Sequence, residues 1–222
     1  MDFSIIIINY KTKELLDDCL ASIFKHLRGN FEVIVIDNAS SDGSVEFILK
    51  KYGDRIRIIA NDKNIGFGPA NNIGAKNSIG EYLLFLNSDT TVFQDILKQI
   101  INLFDTNGNI GAISPRLLLL DGNIQPFAYG RFPDIFNLLS SRFVKNIESE
   151  RGIFEADWIA GTAMFVRRDL FFNIGGFDEN FFMYYEDIDL CKRIKEAGYS
   201  IYVHPGVSVV HHVGGSGNDY AK

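Results

Sequence analysis

The chain has little of what marks several common protein classes. Among its 222 residues are two cysteines, Cys19 and Cys191, without metal-ligand spacing and too few for a disulfide framework. That scarcity fits a reduced, cytosolic compartment. No apolar run approaches the ~18 residues of a membrane span. The N-terminal run from Ile5 to Ile8 is likewise too short for the core of a signal peptide. Basic residues are outnumbered, 22 Lys and Arg against 28 Asp and Glu, for a formal charge of −6. The basic stripe of a nucleic-acid surface is therefore missing. There is no internal repeat or low-complexity tract. No G-x-G-x-x-G follows the first predicted strand and no G-x-x-x-x-G-K-[ST] occurs, so neither a dinucleotide fingerprint nor a P-loop is present. What remains is an ordinary globular composition, 46% hydrophobic with 19 Phe. It suffices for a substantial core and predicts one domain spanning 1–222.

The chain is organised around Glu81 to Thr91, EYLLFLNSDTT. Tyr82 to Leu86 is a continuous apolar run of strand length, the pattern of a strand buried on both faces. It ends in oxygen-bearing residues, Asn87, Ser88, Asp89 and Thr90. On an extended chain Asn87 and Asp89 would share one side, where they could ligate a hard divalent cation. Alternatively, Asp89 or Thr90 caps a helix predicted over Gln94 to Phe104. Three earlier strands follow the same plan: Phe3 to Ile8, Phe31 to Ile36 and Arg55 to Ala60. Helices alternate with them. The first has Thr12 as its predicted N-cap and Leu15, Leu16, Cys19, Leu20, Ile23, Phe24 and Leu27 on its buried face, and the second carries Val45, Ile48, Leu49 and Tyr52. The third is the glycine- and asparagine-rich GFGPANNIGAKNS.

Strands alternating with helices predict a parallel α/β sheet. Ligands of such sheets sit outside the carboxyl ends of the strands. Here those ends carry Asn9-Tyr10, Asp37-Asn38, Asn61 to Asn64 and Asn87 to Asp89, four polar clusters on one edge. Tyr10 can stack on a base and Asp37 can accept from a ribose hydroxyl or base N–H. Gly66 and Gly68 permit close backbone approach.

Beyond Asp105 the pattern loosens. Ile110 to Ser114 reads as a short strand, and Pro115 to Gly130 lacks periodicity. Arg131 to Ile147 mixes Phe, Leu and Arg in a way that suits either a helix packed on the sheet or a segment lying on a membrane or an apolar acceptor. Asp157 to Val166 reads as a strand broken at Gly161-Thr162. Glu186, Asp187 and Asp189 crowd the first turn of a helix that Gly198 ends. They complement its dipole, or one of them serves as a general base. Ser200 to Val203 is a further strand, and His211-His212 offers a candidate ligand.

Taken together, these motifs resemble inverting family 2 glycosyltransferases of the GT-A fold, in a branch similar to rhamnosyltransferases. The resemblance spans nearly the whole chain, through SIIIINY, VIDNASSDGS, NIGFGPANNIG, LNSD, DWIAGTAMFVRR, GGFDENFFMYYEDIDLCKR and HHVGGSG. It implies a Rossmann-like, mixed but mostly parallel sheet flanked by helices, with 1–106 a nucleotide-binding half and 107–222 an acceptor-binding half. By the resemblance the nucleotide sugar contacts Asn9, Tyr10, Asp37, Asn64, Gly66, Asn72, Asn87 and Ser88. The acceptor meets Trp158, Gly161 and Thr162. Asp187, with Glu186 beside it, carries the base. Asp89 and His211 hold Mg²⁺ or Mn²⁺. Asn87 stands where the family's Asp-x-Asp has its first Asp, so the metal site loses one charge. The implied reaction moves rhamnose or another hexose from a nucleoside-diphosphate sugar to a glycan or lipid-linked hydroxyl, with inversion, at the inner face of a membrane or in the cytoplasm. A sugar-nucleotide nucleotidylyltransferase is the enzymatic rival, but it would need a Gly-rich basic loop where Asn9-Tyr10-Lys11-Thr12 stands. A nucleotide-binding module without catalysis is the other.

Overall fold

The computed structural model describes residues 1–132 and 152–212. Most of the predicted amphipathic segment, from residue 133 onward, and the glycines after His212 lie outside the described residues. In chain order the elements are β1 (Phe3–Asn9), α1 (Lys13–His26), β2 (Phe31–Asp37), α2 (Ser44–Tyr52), β3 (Arg57–Ala60), α3 (Phe67–Lys76), β4 (Tyr82–Asn87) and β5 (Thr90–Val92). Then come α4 (Leu97–Thr106), β6 (Ile110–Leu118), β7 (Tyr129–Gly130), β8 (Phe154–Ala156), β9 (Trp158–Ile159), β10 (Ala163–Arg167), α5 (Arg168–Asn173), α6 (Glu186–Glu196) and β11 (Ser200–His211).

The main sheet runs β3-β2-β1-β4-β10-β6-β11-β5, with β8 also paired to β11. The first four strands are mutually parallel. β10 lies antiparallel to both β4 and β6, which makes the sheet mixed but mostly parallel, as predicted. β7 and β9 form a separate two-stranded ribbon.

Alternation along the strands builds two cores. Ile5 and Ile7 of β1, Val33 and Val35 of β2, and Leu84 and Leu86 of β4 face α1, α2 and α4. Ile6, Ile34, Leu83 and Phe85 face α3, α5 and α6. Side chains at period two on a strand point to opposite faces, so a strand covered on both sides must be apolar throughout. Each fully buried Ile contributes ~1.5–3 kcal/mol. Close packing on the second face also needs small residues, and a Cβ on Gly74 would collide with Ile6.

Several boundaries differ from the sequence reading, for physical reasons. β6 continues past Ser114 to Leu118 and β11 continues past Val203 to His211. Pro115 has no N–H to give, and its neighbour strand bulges opposite it, where the pairing steps from His204↔Pro115 directly to Ser208↔Arg116. Pro205, Gly206 and Val207 fill that bulge. Asp89 and Thr90 do not cap α4, because β5 intervenes and pairs with β11. Thr12 does sit at the N-cap of α1 but makes no side-chain cap bond. Its hydroxyl goes to the strand-end network instead. Among the described residues, no helix is long and apolar enough to cross a membrane.

Candidate active site

The carboxyl ends of β1, β2 and β4 meet as expected for this topology. Asn9 is fully buried, and its amide nitrogen donates to Asp37 Oδ1 at 2.6 Å, Ser44 Oγ at 2.8 Å and Ser40 Oγ at 2.9 Å. Thr12 Oγ1 donates to Asn9 Oδ1 at 2.8 Å and lies 2.9 Å from Ser88 Oγ. Asp37 also accepts from the Ser40 backbone N–H at 3.1 Å. Asn9, Asp37 and Ser88 are therefore members of one buried lattice that fixes the shape of the edge. Fully satisfied networks of this kind rigidify what they join.

In front of this lattice is a small cleft of about 80 Å³, walled by Tyr10, Asn38, Asn64, Gly66, Phe67, Asn87, Ser88 and Met183. Asn38 ties its floor together, donating to the Gly66 carbonyl at 3.1 Å and accepting from Asn61 at 2.8 Å. Asn64 Oδ1 accepts the Gly66 N–H at 3.0 Å. Gly66 itself has φ +92° and ψ 178°, a region open essentially to glycine alone. A Cβ there would collide with the Phe182 carbonyl. That carbonyl accepts the Phe67 N–H at 2.9 Å, so the cleft is joined to the loop that precedes α6.

Asn72 belongs to that same junction. Its Nδ2 donates to the Phe177 carbonyl at 2.8 Å and to Glu179 at 3.1 Å, while its Oδ1 accepts the Phe177 N–H at 2.9 Å. Arg193 grips the loop from the other side, donating to the Ile174 and Gly176 carbonyls at 2.9 and 2.7 Å and to Asp189 at 2.6 Å. The sequence reading passed over Arg193, although the spacing from Asp189 is that of a helical ion pair. The loop ends in Tyr184 and Tyr185 with φ of 69° and 70°. Non-glycine residues in the left-handed region cost roughly 1–3 kcal/mol each.

α6 then begins with Glu186 and Asp187, which face different surroundings, as adjacent helical residues must. Asp187 Oδ2 accepts the Gly161 N–H at 2.9 Å and Oδ1 accepts the Ile188 N–H at 2.8 Å. Burial nonetheless raises its carboxyl above the ordinary range, against the lowering effect of those N–H donors. Each oxygen retains a further lone pair. Glu186 is 5% exposed, and its Oε2 has no hydrogen-bond partner among the described residues. Burial, with a smaller push from the Asp187 charge, lifts its pKa from 4.5 to about 7.

Gly161 lies between β9 and β10, where the predicted strand breaks. A Cβ on it would press on the Phe67 ring at 3.1 Å. The next residue, Thr162, accepts the Asn87 N–H through its carbonyl at 2.9 Å. Residues 87, 161, 162 and 187 are thus brought together from three parts of the chain. Trp158 lies in β9, its indole packed over Gly130.

Asp89 and His211 also meet, Oδ1 to Nε2 at 3.1 Å, because β5 pairs with the end of β11. The expected sharing of one side by Asn87 and Asp89 does not occur. β4 ends at Asn87 and a turn follows, so Asn87 walls the cleft while Asp89 turns to His211. The second nitrogen of His211 is 2.8 Å from Gln125 Oε1, a partner in the aperiodic stretch that carried no sequence signal. His212 pairs instead with Thr91, at 2.8 Å. Among the described residues no group of three or more His, Cys, Asp or Glu could hold a metal. A carboxylate and an imidazole still make a donor set that fits a divalent cation taking its other ligands from phosphate and water.

Comparison with known proteins gives a consistent result. The family described as Glycosyl transferase family 2 matches residues 4–171. The chain is 29% identical over 217 residues to the low-salt glycan biosynthesis hexosyltransferase Agl10 of Haloferax volcanii, covering 95% of this chain and 67% of that one. It is 27% identical over 236 residues to the N-acetylglucosaminyl-diphospho-decaprenol L-rhamnosyltransferase of Mycobacterium tuberculosis, covering 94% and 75%. Among solved structures it is similar to GalNAc-T7 with UDP, GalNAc and Mn²⁺, with a TM-score of 0.75 at 18% identity, covering 96% of this chain and 44% of that one. That likeness shows the fold, which is GT-A.

Proposed function

Because the chain belongs to glycosyl transferase family 2, an inverting family of hexosyltransferases, we propose that it moves a hexosyl group from a nucleoside-diphosphate sugar to a hydroxyl of a glycan or lipid-linked acceptor. Rhamnose carried on deoxythymidine diphosphate is the donor this reading favours, with a UDP-sugar as the alternative. The mycobacterial relative is named for rhamnosyl transfer to a lipid-linked sugar. In this reading 1–106 is the donor half and 107–222 the acceptor half.

The observation that carries the proposal is the placing of Asp187. Its carboxylate is held by the Gly161 N–H, next to the strand-end cleft, with lone pairs left over and its proton affinity raised by burial. A general base works best with a pKa drawn toward the working pH. Asp187 would take the proton of the acceptor hydroxyl as that oxygen attacks the anomeric carbon and the nucleoside diphosphate departs from the opposite face. Tyr10 and Asn38 would bound the nucleoside, with Asp37 shaping the pocket behind them. Asp89 and His211 would hold Mg²⁺ or Mn²⁺, and the imidazole favours Mn²⁺, since Mg²⁺ prefers an all-oxygen shell. Such a cation neutralises charge building on a departing diphosphate. Fixing donor and acceptor against each other supplies further acceleration.

A thermal-shift and hydrolysis screen of nucleotide sugars, with and without Mn²⁺, tests the reading. A donor at a hundred times its Kd stabilises the protein by ~2.7 kcal/mol, a rise of roughly 5–10 °C for a chain of this size. If no nucleotide sugar shifts the melting temperature and none is hydrolysed, the proposal falls.

A further inference from the structure

We propose that Tyr184 and Tyr185 form an aromatic platform on which a pyranose ring of the acceptor stacks beside Asp187, an inference that rests on the transferase reading above. Both residues are 65% and 68% exposed. Neither ring contacts another aromatic, and neither hydroxyl has a hydrogen-bond partner among the described residues. The other end of the same loop behaves in the opposite way. Phe177 is 1% exposed and packs on Phe85 and Phe171 at centroid distances of 5.0 and 5.6 Å. The loop therefore has a buried aromatic end and a presented one.

The presented end is held still. The Phe182 carbonyl is bonded to Phe67, the Tyr185 carbonyl accepts the Asp189 N–H at 2.9 Å, and Asn72 clamps Phe177. Two successive tyrosines also occupy left-handed backbone, at φ 69° and 70°, where Gly, Asn or Asp would sit with less strain. Among the described residues there is no packing reason for a strained, anchored turn that carries these two exposed rings.

Position indicates the ligand. Tyr185 is two residues from Asp187, so their Cα atoms are within ~7 Å, about the span of one sugar ring. The hydroxyl that Asp187 deprotonates belongs to the acceptor, so the group that lies over these rings would be the acceptor sugar. A tyrosine ring offers a flat electron-rich face with a polar rim, which matches the C–H face and hydroxyl edge of a pyranose. Such rings give contact area at low conformational cost. Neither tyrosine walls the donor cleft, which already contains Tyr10.

Saturation-transfer NMR on the full chain tests this, using methyl pyranosides of glucose, galactose and N-acetylglucosamine, with ribitol as a polyol that has no ring face. UDP and dTDP affinity is measured in parallel by calorimetry with Mn²⁺. At least one pyranoside should receive saturation from aromatic protons and ribitol should not. Tyr184→Ala and Tyr185→Ala, which keep the backbone strain, should each weaken pyranoside binding at least ten-fold. Tyr184→Phe and Tyr185→Phe should stay within about three-fold, and nucleotide affinity should be unchanged in all four. Unchanged pyranoside binding in both alanine variants, with nucleotide binding intact, overturns the platform alone. A wild type that binds neither nucleotide overturns the transferase reading and the platform's assignment with it.

Discussion

Replacing Glu186 by Gln should make the protein more stable at pH 8 and leave it little changed near pH 4.5. The carboxyl is 5% exposed, and its pKa rises from 4.5 to about 7 on folding, chiefly through burial. Between those values the native state holds a proton that the unfolded chain has released. Stability must then fall as pH rises. The favourable contribution is complete below about pH 4.5 and is lost as pH passes through about 7, the reverse of an ion-paired carboxylate. At 1.36 kcal/mol for each pH unit between 4.5 and about 7, the loss is about 3 kcal/mol. Gln keeps the shape but never ionises, so the variant escapes that loss. For a chain of this length the gain at pH 8 is roughly 6–12 °C in melting temperature. The assay is thermal unfolding of wild type and Glu186→Gln in EDTA, stepped from pH 4.5 to 8, read as a difference. Asp187 is present in both, so its own titration largely cancels. A flat difference, or a wild type that gains on the variant as pH rises, would refute the assignment of a buried, uncompensated carboxyl at this position.

Three further outcomes follow from the geometry. Asp37→Ala should weaken UDP or dTDP binding in calorimetry about ten-fold or more, through collapse of the network it shares with Asn9 and Ser40; unchanged affinity would detach that network from the site. Asp89→Ala should abolish any tightening of nucleotide binding by Mn²⁺ while His211 stays in place, and a wild type that binds equally in Mn²⁺ and EDTA would remove the cation from the account. Gly66→Ala should cost about 2–4 kcal/mol in urea unfolding, from its glycine-only backbone and the collision with Phe182. A loss below 0.5 kcal/mol would mean that the cleft and the loop before α6 are not rigidly joined.

How much of this could be read from the residues depended on how local the cause was. β1, β2 and β4 are apolar on both faces because helices cover both, so their runs stand out and their polar ends point to the site. The meeting of Asp187 with Gly161, or of Asp89 with His211, follows only from strand order and was available only through the resemblance to a family. Pro115 looked like the end of a strand because the bulge that accommodates it lies some ninety residues away, at Pro205 to Val207. Gln125 gave no signal, since a single polar residue in an aperiodic stretch is identified only by what it touches. Asp37 read as a ligand contact because it is a carboxylate at the end of a buried strand, and Asn72 only through the resemblance to a family; the bonds each makes within the protein were not legible. The structure uses Asn72 to hold Phe177 and Asp37 to hold Asn9. The left-handed turn at Tyr184 and Tyr185 was equally hidden, because tyrosine does not advertise that conformation as glycine does.

The central claim is that Asp187, and not its neighbour, accepts the proton in transfer of a sugar. Its most direct test is sugar transfer by Asp187→Asn and Glu186→Gln, measured with a donor found in the nucleotide-sugar screen and with donor affinity recorded alongside. Asn keeps the hydrogen-bonding reach to Gly161 but cannot take a proton at neutral pH. The account predicts near-normal donor binding with transfer reduced roughly 10²- to 10⁴-fold in Asp187→Asn, and substantial transfer by Glu186→Gln. Wild-type transfer by Asp187→Asn, or loss confined to Glu186→Gln, would contradict it.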